Sequence, residues 1–311
     1  MKLLLTALVF GVWIIFFECL NPLFSMFFSD QSAATFHYSK NVLNLEETST
    51  IEVLVIGDSR SKAAWIPDPQ RSWYNVSAGG STPIDGAKFL NNVLDMGVVP
   101  KTVLVSYSAF HLNSIGENYW KRSVNYRTVN FLEHLYLKFL AFQLGDMHFL
   151  RQNEFLANYF PGSKAEVFIN SMNKVRYHKN KVALEKLKET NGHLYYGRDK
   201  GNSEMFNEVY LKEFKPNVTI SAVLKNLISR LKSKGVKVAW AYTPINNSSC
   251  HKVASEFKRQ FTNFVDELNI IVLNQLECMP DREFGDKWHL FSGAPDFTAR
   301  INEKAKSVNL L

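Results

Sequence analysis

The chain has 311 residues, 46% of them hydrophobic and 14% aromatic, with a formal net charge of +7. Such a composition excludes a disordered chain, because it supplies apolar surface enough for one large core or two smaller ones. The positive balance suits an anionic membrane surface, an acidic polymer or nucleic acid. No nucleic-acid motif is present and the lysines are spread along helical segments as a solvated face would be, so no nucleic-acid partner is expected.

Apolar side chains are most concentrated at the start. Lys2 is followed by an apolar run over 3–17 and, after Glu18 and Asn21-Pro22, by a second over 23–28. A signal-peptide core takes about 7–15 residues and a spanning helix about 20. With no small-x-small cleavage site close behind, we read 1–28 as a single-pass anchor in the inner or cytoplasmic membrane. The one lysine ahead of the run favours an inside amino terminus and a periplasmic or extracellular body. Residues 29–50 are polar without a period and read as a tether to a catalytic domain over 51–311. Of three cysteines, Cys19 lies in the anchor; Cys250 and Cys278 read equally as a disulfide, which an exported compartment permits, or as two buried thiols. No spacing suits a metal, and no cofactor is expected.

The body opens with residues 51–56, a β-branched apolar run of the kind carried by strands buried on both faces. Runs over 73–76, 102–107, 236–242 and 270–273 give four more candidate strands. Between them the period turns helical, over 84–96 and over 220–234, where Val223, Leu227, Ile228 and Leu231 share a face and Gly235 ends the helix. This alternation predicts an α/β fold, a flavodoxin-like doubly wound parallel sheet of about five strands. Residues 113–216 interrupt it with an aromatic-rich helical stretch over 129–160, a lysine-rich one over 175–190 and a Gly/Asn-rich loop over 191–203. So long a connection reads as a helical insertion, either a lid or a packing layer.

In parallel sheets ligands bind beyond the carboxyl ends of the strands. The first strand ends in Asp58-Ser59-Arg60. A serine at a strand-to-helix turn exposes its hydroxyl and sets its amide at a helix N-terminus, where developing negative charge is favoured; a simple N-cap is the plain alternative. Near the far end Asp286 and His289 stand at i and i+3, which on one helical turn puts both side chains on the same side. A neutral histidine can take the serine proton while the carboxylate fixes its tautomer. Arg60 is a candidate for binding an acidic sugar, and Trp240 and Tyr242 for stacking on sugar rings, with core packing as their default use. His111, after the third strand, reads as structural.

Taken together, Gly57-Asp58-Ser59 after the first strand, Gly79-Gly80 after the second, and Asp286-x-x-His289-Leu290 followed by Gly293 resemble the first, second and fifth sequence blocks of SGNH (GDSL-like) hydrolases. The resemblance implies Ser59 as nucleophile, His289 as general base, Asp286 as its orienter, and the amides of Ser59 and Gly80 as oxyanion donors. The family's third block, Gly-x-Asn-Asp, is absent, and Ser108 or Asn113 is the candidate to replace its asparagine. With the anchor and the insertion, the sequence looks like a membrane-anchored subgroup linked to O-acylation of cell-surface polysaccharides. That resemblance implies an O-acetyltransferase or acetylesterase, a carbohydrate acceptor or acylated polysaccharide, and a multispanning membrane acyltransferase as partner. The alternative is a non-catalytic scaffold of the same fold that binds the polysaccharide or the acyltransferase.

Overall fold

The computed structural model describes residues 4–6, 8–15, 25–27, 32–42, 51–116, 119–158, 174–196 and 212–311. Five strands, β1 (Val53–Gly57), β2 (Trp73–Asn75), β3 (Thr102–Ser106), β4 (Lys237–Trp240) and β6 (Ile271–Val272), form one parallel sheet in the order β2-β1-β3-β4-β6. Four lie inside expected runs, and β1 passes the end of its run by one residue, Gly57. A further parallel pair, β5 (Ile245–Asn246) with β7 (Cys278–Met279), lies outside this sheet and was not expected.

The strands read as continuous apolar runs because successive side chains enter different cores. Leu54, Ile56, Val103, Val105, Val238 and Trp240 join one core, while Val53, Val55, Leu104 and Ala239 join another. Helices among the described residues include, in chain order, α1 (Ala33–Asn41), α2 (Ser59–Ala64), α3 (Pro83–Asp95), α4 (Ala109–Asn113), α5 (Tyr119–Tyr126), α6 (Phe131–Gln143), α7 (Lys174–Glu189), α8 (Val218–Ser233), α9 (Ser255–Glu267) and α10 (Ala294–Ser307). Residues of α3, α8 and α9 fill the first core, and Phe297, Ile301 and Ala305 of α10 fill the second. The sheet is therefore covered on both faces. Capping sets the register of α3, where Thr82 and Asp85 form a reciprocal capping box around Pro83, the first helical residue.

One expectation changes here. The polar tether over 29–50 contains α1, whose Ala34 and Tyr38 are buried in the first core; Ser39 Oγ donates to the Val76 carbonyl. Small and hydroxyl side chains let this helix pack closely without an apolar stripe, so its periodicity is hidden. The expected anchor falls partly outside the described residues, and among those described no helix is long and apolar enough to cross a membrane.

The insertion carries its own core, in which the Trp120 ring meets His134, Phe149 and Phe155 edge to face. Ile84 of α3 and Ile220 of α8 dock it to the body. Only one side of α6 is used for this, through His134, Leu137 and Ala141. Its other side presents Leu132, Leu135, Tyr136, Phe139 and Phe142, between 48% and 74% exposed, to the outside.

Candidate active site

β1 ends at Gly57, and the chain turns at once into α2. Asp58 caps that helix: its carboxylate accepts the Arg60 N–H at 2.9 Å and the Ser108 N–H at 2.8 Å, tying the end of β1 to the end of β3. Burial alone would raise the Asp58 pKa, but His111, the Ser108 hydrogen bonds and the Arg60 charge hold it below the usual carboxylate range. Gly57 admits no side chain, since a Cβ there would fall 2.0 Å from the Ser106 carbonyl. Ser59 thus opens α2 at the carboxyl edge of the sheet.

Asp286 and His289 arrive from the other end of the chain on a loop pinched by a bridge between the buried Phe284 and Leu290. The Gly285 N–H donates to the His289 carbonyl at 2.9 Å. This is a closed loop and not the helical turn expected from the i, i+3 spacing. Asp286 Oδ1 instead accepts the N–H groups of Trp288 (2.8 Å) and His289 (2.9 Å), which folds the carboxylate back over its own segment.

The two chain ends meet. His289 Nε2 lies 2.8 Å from Ser59 Oγ, and Nδ1 lies 2.8 Å from Asp286 Oδ2. A carboxylate can only accept, so Nδ1 carries the proton and Nε2 is left to accept from the serine hydroxyl. Burial would raise the Asp286 pKa, but the hydrogen bond and charge of His289, with the two amides, keep it below the usual range. Tyr196, from the start of the Gly/Asn-rich loop, lies over the imidazole with ring centroids 4.7 Å apart.

The loop after β2 runs beside this relay, because the Ala78 N–H donates to the Gly57 carbonyl at 3.2 Å. Ala78 to Ser81 form a β-turn closed by the Ser81 N–H on the Ala78 carbonyl at 3.1 Å. Gly80, its third residue, has φ 66°, the conformation for which a type II turn demands glycine. Among the described residues the N–H groups of Ser59 and Gly80 donate to none.

The remaining candidates are placed elsewhere. Ser108 directs its amide to Asp58, and Asn113 donates its side-chain amide to the Glu213 carbonyl at 3.4 Å, so neither faces the relay through those groups. Trp240 and Tyr242 are buried core residues packed edge to face on Phe261, which leaves no exposed ring for a sugar. Arg60 is 9% exposed and lines a narrow crevice with Tyr107, Ser108 and Tyr242. His111 is closer to the chemistry than its sequence position indicated, with Nε2 3.9 Å from Asp58 Oδ2. Burial pushes its pKa down to about 4; Asp58 opposes this, and the charges of Arg122, Arg60 and His289 reinforce it. Arg122 of α5 was not singled out by any motif, yet its Nη1 donates to the Gly79 carbonyl. A cavity of about 420 Å³ between α1, α3 and the sheet reaches Gly57 and Ala78, but none of Ser59, His289 or Asp286 lines it. The described residues hold no cluster able to bind a metal.

No protein-family model matches the chain, and no curated protein matches it. Among solved structures, an acetyl xylan esterase (Est2A) from the rumen bacterium Butyrivibrio proteoclasticus is similar at 11% identity, over 84% of this chain and 64% of that one, with a TM-score of 0.32. The chain thus spans under two thirds of that esterase, and a likeness at this score carries no weight for fold or function.

Proposed function

We propose that the chain is a membrane-anchored serine enzyme of SGNH type, performing acyl-ester chemistry on surface carbohydrate through a Ser59 acyl-enzyme, as O-acetyltransferase or acetylesterase. One observation carries the reading: the unbroken hydrogen-bonded relay from Asp286 through His289 to Ser59. His289 Nε2 takes the hydroxyl proton as Oγ bonds to the acyl carbon, and returns it to the departing oxygen as the tetrahedral intermediate collapses. The amides of Ser59 and Gly80 are the donors for the oxyanion. Water or a sugar hydroxyl then attacks the ester, with His289 again as base. A hole of two amides, without the third donor of the family pattern, fits a slow catalyst, since one such donor is worth about 10²–10³ in rate.

The apolar amino terminus supports the membrane placement. So does α6, which is apolar on its outward side as well as its packed one, a pattern of helices that meet protein or lipid all round. A multispanning acyltransferase would supply the acyl group, and a periplasmic or extracellular polysaccharide would accept it. Labelling with a fluorophosphonate tests the chemistry. Wild type is expected to label once, at Ser59, and Ser59→Ala not at all. Absence of labelling, or labelling that survives Ser59→Ala, would leave the scaffold reading in its place.

A further inference from the structure

The turn that carries Gly80 is gripped from outside by the insertion. Arg122 Nη1 donates to the Gly79 carbonyl at 3.1 Å, and the Ser32 hydroxyl reaches the same oxygen at 3.4 Å. A Cβ placed on Gly80 would fall 2.2 Å from both terminal nitrogens of Arg122, so the guanidinium is seated directly on that residue. The peptide joining Gly79 to Gly80 is trans, as are all those described, and planar, so its C=O and N–H point in opposite directions. Fixing the oxygen therefore fixes the hydrogen. A cation on the carbonyl also polarises the amide and strengthens its N–H as a donor.

We propose that Arg122 is the positioning residue of the oxyanion hole: by holding the Gly79 carbonyl it aims the Gly80 N–H at the acyl oxygen on Ser59. The proposal rests on the Ser59 acyl-enzyme described above. It makes α5, and through it the insertion, a working part of the site and not only a cover. Arg122 touches no reacting atom; it acts through the peptide plane.

The test uses the full chain in detergent, with p-nitrophenyl acetate turnover and the rate of fluorophosphonate labelling as readouts. Arg122→Gln should lower kcat and labelling rate by about 10- to 100-fold, less than outright loss of a donor, with KM within about twofold. Arg122→Lys, which keeps a donor and the charge, should recover part of the loss, and low millimolar guanidinium should partly rescue Arg122→Ala. Lys121→Gln, which removes the neighbouring charge on the same helix, should turn over as wild type. Wild-type rates in Arg122→Gln would overturn the proposal. So would an equal loss in the Lys, Gln and Ala variants with a lowered thermal midpoint and no response to guanidinium, which would assign Arg122 to packing. A wild type that neither labels nor turns over would instead sink the Ser59 reading itself, and the two failures are thereby distinguished.

Discussion

At the scale of single residues, the relay is made of short, checkable contacts. Asp286→Asn keeps the size of the side chain but exchanges a pure acceptor for a group that can also donate, so His289 no longer has its Nδ1 proton fixed. We expect kcat to fall by about 10²–10⁴ with KM little changed, against a base that remains in place; an unchanged kcat would show that Asp286 only shapes its loop. Gly80→Ala should fail differently. The left-handed backbone costs a non-glycine residue about 1–2 kcal/mol, and the new Cβ must displace Arg122. Thermal denaturation and labelling rate, measured together, should therefore both drop. Ser59, Asp286 and His289 were legible in the sequence because each follows a recognisable signal: the end of a buried strand, or an Asp-x-x-His beside a glycine. Arg122 gave no such signal, since its meaning depends on a carbonyl 43 residues away. Trp240 and Tyr242 take the core-packing use that was their default and not the sugar-stacking one: separated by two along the chain, both fall into the same core.

At the scale of elements, legibility followed length and apolarity. The five sheet strands are marked by apolar, β-branched runs, and α3 and α8 by an apolar stripe with caps. The β5·β7 pair is two residues long on each side, too short for any period to register. Its importance lies in what it holds. Cys250, just after β5, is bonded to Cys278 of β7, and the chain runs from β7 within seven residues to Gly285 and the Asp286–His289 loop. The disulfide settles the open choice between bridge and free thiols. It closes a loop with a sequence separation of 28, for which chain entropy assigns about 3–4 kcal/mol of stabilisation. We expect the Cys250→Ser/Cys278→Ser variant to lose stability of that order in urea unfolding. Its Ser59 should also label more slowly, because the segment ahead of His289 is less restrained. Full labelling rate in a destabilised variant would show that the Phe284–Leu290 bridge alone fixes the loop.

At the scale of the whole molecule, the same burial that builds the cores sets how the protein responds to acid. His111 sits beside the relay, His134 lies in the insertion core stacked on Phe155, and His193 reaches the Ala63 carbonyl from the loop after α7. Burial pushes all three down, His111 and His193 to about 4 and His134 to about 3. In the unfolded chain each titrates near 6.5. Between about pH 6.5 and 4 the unfolded state therefore binds protons that the native state refuses, and stability must rise with pH across that window. The stabilising neutral form is fully in force above 6.5 and is lost as the pH falls, at up to about 1.4 kcal/mol per pH unit for each histidine. The lowered carboxylates of Asp58 and Asp286 add loss of the same sign at lower pH, whereas Asp85, raised by burial, opposes it. Urea midpoints should accordingly fall from pH 7.5 to pH 5. His193→Gln, which retains a donor for the Ala63 carbonyl but cannot titrate, should remove about a third of the slope. Because the three histidines occupy the site, the insertion and the junction between them, the loss should be cooperative, with labelling of Ser59 and unfolding of the insertion falling over one pH range. A midpoint that does not move with pH would mean that these side chains reach water in the native protein, contrary to the packing described.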